Sequence, residues 1–405
     1  MRVIVVGEGL GGLTAAIRLA QLGVPATIVT FGRGGLWVSP GYIDLLGYAP
    51  DLVDDPFAAI PELTACHPYR VLGVDAVKAA AKWFAALTSE YLCGDITNNY
   101  LLPSAIGVLR PTALAPDSFA AADAKTVSSY AVVGVNQVKD FQAGMVAGNL
   151  ARTKCLENRH FKTSLASISF IPRPGENDPT SFTFHDGLTQ RAQSFGQAVR
   201  EVAGEGEVVL LPGVLVDKEL VQRVQDVVGR PIAEVAMQPP APAGPILAQA
   251  LIDKAKALGV RRMIGAKVVG LTTNGSRVSG VKVQVAGRLR EISAQAVIYA
   301  PGGFESGALS VDSYGQICET GLGLPLTRSN AAGLVTDNYQ DPQPLFEVGV
   351  AIDANCRVLG DDDPIYPNLY AVGGIVANAQ RWIEKSGDGI ALATGFKAGE
   401  VVGHE

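Results

Sequence analysis

Residues 1–31 read MRVIVVGEGLGGLTAAIRLAQLGVPATIVTF, and this stretch decides the fold. Arg2 to Val6 is a short β-branched run that predicts a strand. It feeds directly into Gly7-Glu8-Gly9-Leu10-Gly11-Gly12, after which Leu13, Ala16, Ile17 and Ala20 recur at helical spacing. Gly23 stops the helix, and the apolar run Ala26 to Thr30 predicts a second strand. The product is a β-α-β unit carrying the G-x-G-x-x-G spacing of a dinucleotide site. Gly7 permits the sharp exit from the strand, Gly9 lets backbone approach a pyrophosphate, and Gly12 lets the helix pack closely on the sheet. The helix start, with Leu10 and Gly11, offers free N–H groups and partial positive charge to phosphates. A glycine turn without a ligand is the competing reading. The position of the motif at residue 7, between a strand and an amphipathic helix, weighs against it.

The rest of the chain supports a large globular protein. At 405 residues it has room for two or three domains. Hydrophobic residues make up 48% and charged residues 18%, and no apolar run approaches the roughly 20 residues of a membrane helix. A nucleotide fingerprint without a basic leader predicts no signal peptide and a cytoplasmic location. A net charge of -6 argues against a nucleic-acid groove. The five cysteines, Cys66, Cys93, Cys155, Cys318 and Cys356, form no C-x-x-C pair, and the four histidines lack metal-ligand spacing. No metal site is expected.

Dinucleotide folds place an acid at the end of the second strand to hold the adenosine ribose. Here that position is Thr30, whose hydroxyl offers one hydrogen bond without the charge-assisted grip of a carboxylate. Gly32-Arg33-Gly34-Gly35 follows: Arg33 either holds a phosphate or is a solvated loop charge. Ser39-Pro40-Gly41 either lines a flat ring system or is a surface turn.

Residues 50 to about 240 read as an insertion. Asp75 to Leu87 predicts a helix, and Leu102 to Pro116 a loop or edge strand. Strands are predicted at Tyr130 to Val135, Ser164 to Ile171, Glu207 to Leu211 and Ile232 to Met237. Helices are predicted near Asp140 to Leu150, Leu188 to Ala203 and Lys218 to Val228. The proline-rich run Pro239 to Pro245 marks the return to the first fold. Then come a helix with Leu247, Leu251, Ala255 and Leu258 on one face, and strands Arg262 to Leu271 and Val278 to Val285 joined through Asn274-Gly275. A third strand, Leu289 to Ile292, completes a meander.

Ala296 to Ala300 is a fully apolar strand ending at Pro301-Gly302-Gly303. Asn368 to Val372 is another, ending at Gly373-Gly374. Ser386-Gly387-Asp388-Gly389-Ile390 opens the final helix, a second helix start that a reduced flavin would use to stabilise charge near N1 and C2=O. The expected architecture is α/β: a Rossmann-like FAD-binding domain of the two-dinucleotide type with an inserted α/β second domain. The flavin-binding domain is expected from 1–50, 241–305 and 346–405, and the inserted domain from 51–240 with 306–345.

The segments VIVVGEGLGGLTAAIRLAQLG, AVIYAPGGFESG and NLYAVGG with SGDGIALATGFKAGE together resemble the FAD-dependent oxidoreductase superfamily that includes fumarate reductase flavoproteins. Within it, GLWVSPGYIDLLGY, HPYRVLG, VVGVNQVKDFQAG and PPAPAGPILAQAL resemble the B subunit of the anaerobic glycerol-3-phosphate dehydrogenase. The likeness runs over nearly the whole length and is vague between about residues 155 and 205. It implies a flavoprotein that works with a second flavoprotein subunit and an iron–sulfur subunit, passing electrons from glycerol 3-phosphate toward quinone. Any membrane contact, at the inner face of the cell membrane, would come through a partner. The family it resembles is described with FMN, whereas the fold and fingerprint suit FAD; FAD is the expectation, with FMN as the alternative, and Thr30 is compatible with either. The implied flavin contacts are Gly7, Gly9, Leu10, Gly11, Gly12, Thr30, Arg33, Gly34, Ser39, Pro40, Gly302, Gly303, Gly373, Gly374, Gly387, Asp388, Gly389 and Ile390. Two departures stand out: Ile246 where relatives carry arginine, and Asp388 where they carry glycine. The latter carboxylate is expected to turn from the flavin or cap the helix.

If the chain oxidises an alcohol itself, it needs a base near the hydroxyl and cations for a phosphate. His67 with Arg70 is the best pair in the sequence, and Arg381 and Lys385 precede the C-terminal flavin motif. Structural roles are the rivals for all four. The alternatives are a flavin-binding relay or assembly subunit with no substrate site, or a related dehydrogenase acting on another small hydroxy acid.

Overall fold

A computed structural model describes residues 2–154, 160–338, 341–361 and 363–405; Cys155 and Met1 lie outside the described residues. The chain divides into two compact units, one of residues 1–36, 44–86 and 249–405, the other of residues 37–43 and 87–248.

The first unit is built on a parallel sheet. Its strands are β1 (Val3–Val6), β2 (Ala26–Thr30), β3 (Arg261–Ile264), β4 (Ala296–Tyr299) and β5 (Leu369–Ala371), in the order β5-β4-β1-β2-β3. Every pairing is parallel, so all five carboxyl ends lie along one edge. β1 and β4 are buried at every position, which is why they read as continuous apolar runs instead of alternating ones. Helix α1 (Leu10–Gln21) connects β1 to β2, and helix α2 (Gly387–His404) follows β5. The expected strand Arg262 to Leu271 is two strands. Gly265, at φ +71°, turns the chain, so β3 joins the parallel sheet beside β2 while Ala266–Asn274 enters an antiparallel meander with Arg277–Val285 and Arg288–Ser293.

Segments 51–86 and 306–345, expected with the inserted domain, fall in the first unit. Trp83 ties the former to the sheet's helices: its Nε1 donates to Gln21 (2.9 Å) and its ring lies 5.3 Å from that of Phe396 on α2. Glu319 ties the latter, since it accepts from Tyr299 Oη at 2.5 Å at the end of β4 and from the backbone N–H of Gly321, Leu322 and Leu324.

The second unit carries its own four-stranded parallel sheet, ordered Lys162–Ile168, Ser129–Val135, Val208–Pro212, Ile232–Val235. The expected α/β layer is present, with two local differences. The helix expected near 188–203 is Ala192–Val202, and an additional helix, Ser181–Leu188, precedes it; this one is N-capped by Thr180 and packs Phe184 edge-on to Phe195 at 6.0 Å. The segment 102–116, expected as a loop or edge strand, takes part in a hairpin, Tyr100–Pro103 with Leu109–Thr112.

Candidate functional site

The site is assembled on the carboxyl edge of the five-stranded sheet, where the turns after β1, β2, β4 and β5 all emerge. Gly7 leaves β1 at φ +98°, and a Cβ there would overlap the carbonyl of Ala300 at the end of β4. A Cβ on Gly12 would overlap the carbonyl of Gly7, so the helix sits hard against the turn. Gly9 is different. It is the N-cap of α1, it bears no capping side chain, and a Cβ there would meet nothing within 4 Å. The first turn of α1 contains no acid. An uncapped helix start without an acid, beside open space at Gly9, suits an anionic group.

The second helix start stands beside the first. Gly395 of α2 packs on the carbonyl of Gly11, Gly399 on Ala15 and Arg18, and Gly403 on Leu22. Residue numbers rise together along both helices, so α1 and α2 run parallel with both N-termini at the same edge. Arg18 closes the pair by an ion pair to Glu400, and its guanidinium lies 5.2 Å from the Phe396 ring centroid. Two parallel dipoles side by side repel at their positive ends, and a negatively charged ligand across both ends relieves that repulsion. The cradle open at Gly9 and this pairing fit the pyrophosphate and flavin of FAD.

At the start of α2, Asp388 Oδ2 accepts from Asp44 N at 3.3 Å, and Gly389 N donates to Asp44 O at 2.9 Å. Ile390 is buried, and its carbonyl accepts the Thr394 hydroxyl, which in turn accepts Gly373 N at 3.0 Å. These bonds lock the helix start to the turn after β5.

Other glycines of the expected flavin set owe their identity to the chain's own packing. A Cβ on Gly303 would come within 2.8 Å of Glu305 Oε2 and the Gly374 carbonyl, and one on Gly374 within 2.9 Å of Glu305 Oε1. A Cβ on Gly302 would overlap Ser306, one on Gly34 would overlap the backbone of Glu8 and Gly9, and one on Gly389 would overlap Tyr69 Oη. One on Gly387 would only touch the side chain of Arg381. Intact glycines at these positions therefore do not by themselves report a ligand. Thr30 turns its hydroxyl onto Gly32 O at 2.6 Å and is 5% exposed. Arg33 is exposed. Ser39 and Pro40 fall in the second unit, where Gly41 N donates to Ser39 Oγ at 3.3 Å.

His67 and Arg70 do not converge on a common point. His67 is buried and N-caps the short helix Pro68–Leu72: its Nδ1 accepts from Tyr69 N at 3.1 Å, so Nε2 carries the proton and donates to Glu384 Oε2 at 3.2 Å. Burial would raise Glu384, but hydrogen bonds from His67, Ser386 and the backbone of Gln380 hold it below the ordinary glutamate value. Arg70 donates to the carbonyls of Pro61 and Leu63 in its own loop. Arg381 donates to the carbonyls of Gly374 and Val376, beside Glu305; burial pulls its guanidinium below its ordinary value. Lys385, in the left-handed conformation that ends the helix Arg381–Glu384, donates to Trp382 O.

Three features escaped the sequence reading. Glu8, inside the glycine turn, is clamped by Arg262 of β3; residues so far apart in sequence give no local signal. Tyr69, whose hydroxyl donates to Leu45 O at 2.5 Å, is held as a neutral phenol by burial and by the charges of Glu384, Asp388 and Asp44. The spacing of Gly395, Gly399 and Gly403, four residues apart, was legible as a helix-packing stripe. Among the described residues, no cluster of His, Cys, Asp or Glu could hold a metal ion, and no helix is long and apolar enough to cross a membrane.

The family described as FAD binding domain matches residues 2–241, 230–342 and 310–390. A Halobacterium salinarum protein, named as the probable B subunit of an anaerobic glycerol-3-phosphate dehydrogenase, is 30% identical over 98% of this chain and 96% of its own. The B subunit of the Pasteurella multocida anaerobic glycerol-3-phosphate dehydrogenase is 28% identical, over 100% and 99%. Among solved structures, the 3-ketosteroid delta1-dehydrogenase of Sterolibacterium denitrificans aligns over 99% of both chains at 12% identity and a TM-score of 0.47. The chain is thus a flavin-dependent oxidoreductase with FAD as its cofactor, and it belongs to the family of anaerobic glycerol-3-phosphate dehydrogenase B subunits.

Proposed function

We propose that this chain is the B subunit of a complex that oxidises glycerol 3-phosphate to glycerone phosphate and passes the electrons on to quinone, and that within it the chain relays electrons without binding the substrate. Its partners in this reading are a second flavoprotein subunit and an iron–sulfur subunit, and it reaches the inner face of the cell membrane only through them. Bound FAD supplies the redox chemistry. The residues that would hold it are Gly7, Gly9, Leu10, Gly11 and Gly12, with the turns at Gly302–Gly303 and Gly373–Gly374 and the start of α2.

The observation that carries the relay reading is His67. A base for hydride transfer needs a free lone pair within reach of the substrate hydroxyl. His67 spends its lone pair on Tyr69 N and its proton on Glu384. Arg70, Arg381 and Lys385 are each held on backbone carbonyls.

One observation favours a second reading, a substrate site of the chain's own. Gln380, next to Arg381, fixes its amide by donating to Glu347, and its buried Oε1 has no partner among the described residues. A substrate hydroxyl would satisfy it.

The test is to supply the purified flavoprotein with glycerol 3-phosphate and a dye acceptor. Flavin bleaching only after the partner flavoprotein subunit is added supports the relay. Turnover by the isolated chain would replace it with the second reading.

A further inference from the structure

We propose that the outer strand of the antiparallel meander, Arg288–Ser293, with Lys267 and Ile264 beside it, is a docking surface for an acidic face of a partner subunit. The inference rests on the reading of this chain as one subunit of a larger complex and concerns where such a partner would sit.

Charge is divided unevenly along the chain. Residues 261–293 hold seven lysines and arginines and one acid, Glu291, a local excess of six positive charges; the whole chain stands at -6, so all other residues together carry -12. Arg262 is paired with Glu8. Glu291 lies directly opposite Lys282 on the neighbouring strand, where opposite charges offset each other. Lys267, Arg288 and Arg290 are exposed and have no ion pair among the described residues.

The pairing registers gather these three at one end of the meander. Lys267 stands opposite Gln284, Gln284 opposite Leu289, and Val285 opposite Arg288. Arg290, two residues beyond Arg288, lies on the same face of the outer strand. Leu289, between the two arginines, is 63% exposed, and Ile264, three residues before Lys267 at the end of β3, is 61% exposed. The strand closes its sheet, so its outward N–H and C=O groups meet no further strand among the described residues.

A charged edge strand can serve simply to keep other strands away. Charge of either sign meets that purpose, and it does not call for two large exposed aliphatic side chains. Arginines flanking an exposed leucine are instead the composition of an interface, in which an apolar centre is buried and the charges around it choose the partner. Two observations make that partner a protein. No aromatic residue occurs in 261–293 on which a base could stack. A bilayer or a nucleic acid is anionic far beyond this patch and would also meet the -12 of the remaining chain, whereas an acidic protein face can end where the patch ends.

Each partner subunit of the proposed complex would be titrated into the purified flavoprotein, with affinity read by analytical ultracentrifugation at about 0.05 and about 0.5 M salt. We expect the triple variant Lys267→Glu, Arg288→Glu, Arg290→Glu to bind one of them about tenfold or more weakly at low salt. The wild-type affinity for that subunit should fall at high salt while the variant's does not. Retained yellow flavin and circular dichroism matching wild type show that the fold is kept; should the triple variant fail to fold, Arg290→Glu alone decides, with a loss of about threefold or more. Unchanged affinity for both subunits would overturn the proposal while leaving the subunit reading standing. Sedimentation of wild type, but not of the variant, with vesicles of phosphatidylglycerol and phosphatidylethanolamine, with subunit binding unchanged, would assign the patch to a membrane instead. Wild-type protein that binds neither subunit would overturn the subunit reading, and the proposal with it.

Discussion

The hydroxyl of Tyr69 fills the space that a side chain at Gly389 would need, and the same residue is walled on its other side by Leu45, whose Cα and carbonyl oxygen would stand 2.9 Å from a Cβ there. Gly389 belongs to the start of α2, which the sequence reading expects at the flavin, yet its requirement for glycine comes from inside the protein. Gly389→Ala should destabilise the chain by about 1–3 kcal/mol through overpacking. Adding Tyr69→Phe should recover part of the loss, as read from paired urea melts. A single Gly389→Ala variant as stable as wild type would contradict this packing.

Gly9 should behave in the opposite way. Its φ is -75° and the space around it is open, so a side chain costs little in the fold. Gly9→Val should lower stability by no more than about 1 kcal/mol, since the N-cap tolerates it without strain. The purified variant should nevertheless be colourless, because the side chain occupies the phosphate cradle. Retention of yellow flavin by Gly9→Val would show that the cradle lies elsewhere.

The glycine stripe on α2 predicts a third outcome. Gly395→Leu must push α2 away from the carbonyl of Gly11, and with it the two helix starts from each other. We expect a loss of about 2–3 kcal/mol from overpacking together with loss of flavin. Leucine on the far side of the helix, at Lys397, should do neither. The comparison needs only thermal melts and an absorbance spectrum.

Glu384 predicts the acid limb of stability. Its carboxyl is held below the ordinary value of about 4.5 by His67, Ser386 and the Gln380 backbone. A depressed carboxylate contributes stability that is fully present above its unfolded value and is lost as pH falls through its folded value. Stability should therefore decline below about pH 4.5. Glu384→Gln should make that decline shallower while costing stability at neutral pH. Parallel acid limbs in the two proteins would mean that Glu384 is not the titrating group.

The parallel sheet and its glycine turns were legible because they obey local rules: a β-branched run, a glycine exit and an amphipathic helix are neighbours in sequence. The positions of 51–86 and 306–345 were not, because single long-range contacts decide them, Trp83 with Phe396 and Tyr299 with Glu319. The site shows the same divide. The sequence reading expects backbone to approach a ligand around Gly9, and there the structure leaves room for a side chain. It credited Gly303, Gly374 and Gly389 with the same purpose, and only coordinates reveal that Glu305, Arg381 and Tyr69 already crowd them. His67 looked like a base because its neighbours in sequence are Pro68 and Arg70; its true partner, Glu384, is more than three hundred residues away.

The side-by-side packing of α1 and α2 also bears on how the protein is made. Helix α1 is synthesised long before α2, the segment that supplies the groove for Gly11, Ala15 and Leu22. Until that segment is synthesised, the nucleotide fingerprint has no neighbour to lie against. Flavin capture should then wait for α2, and nascent chains stalled before Gly387 should emerge without cofactor.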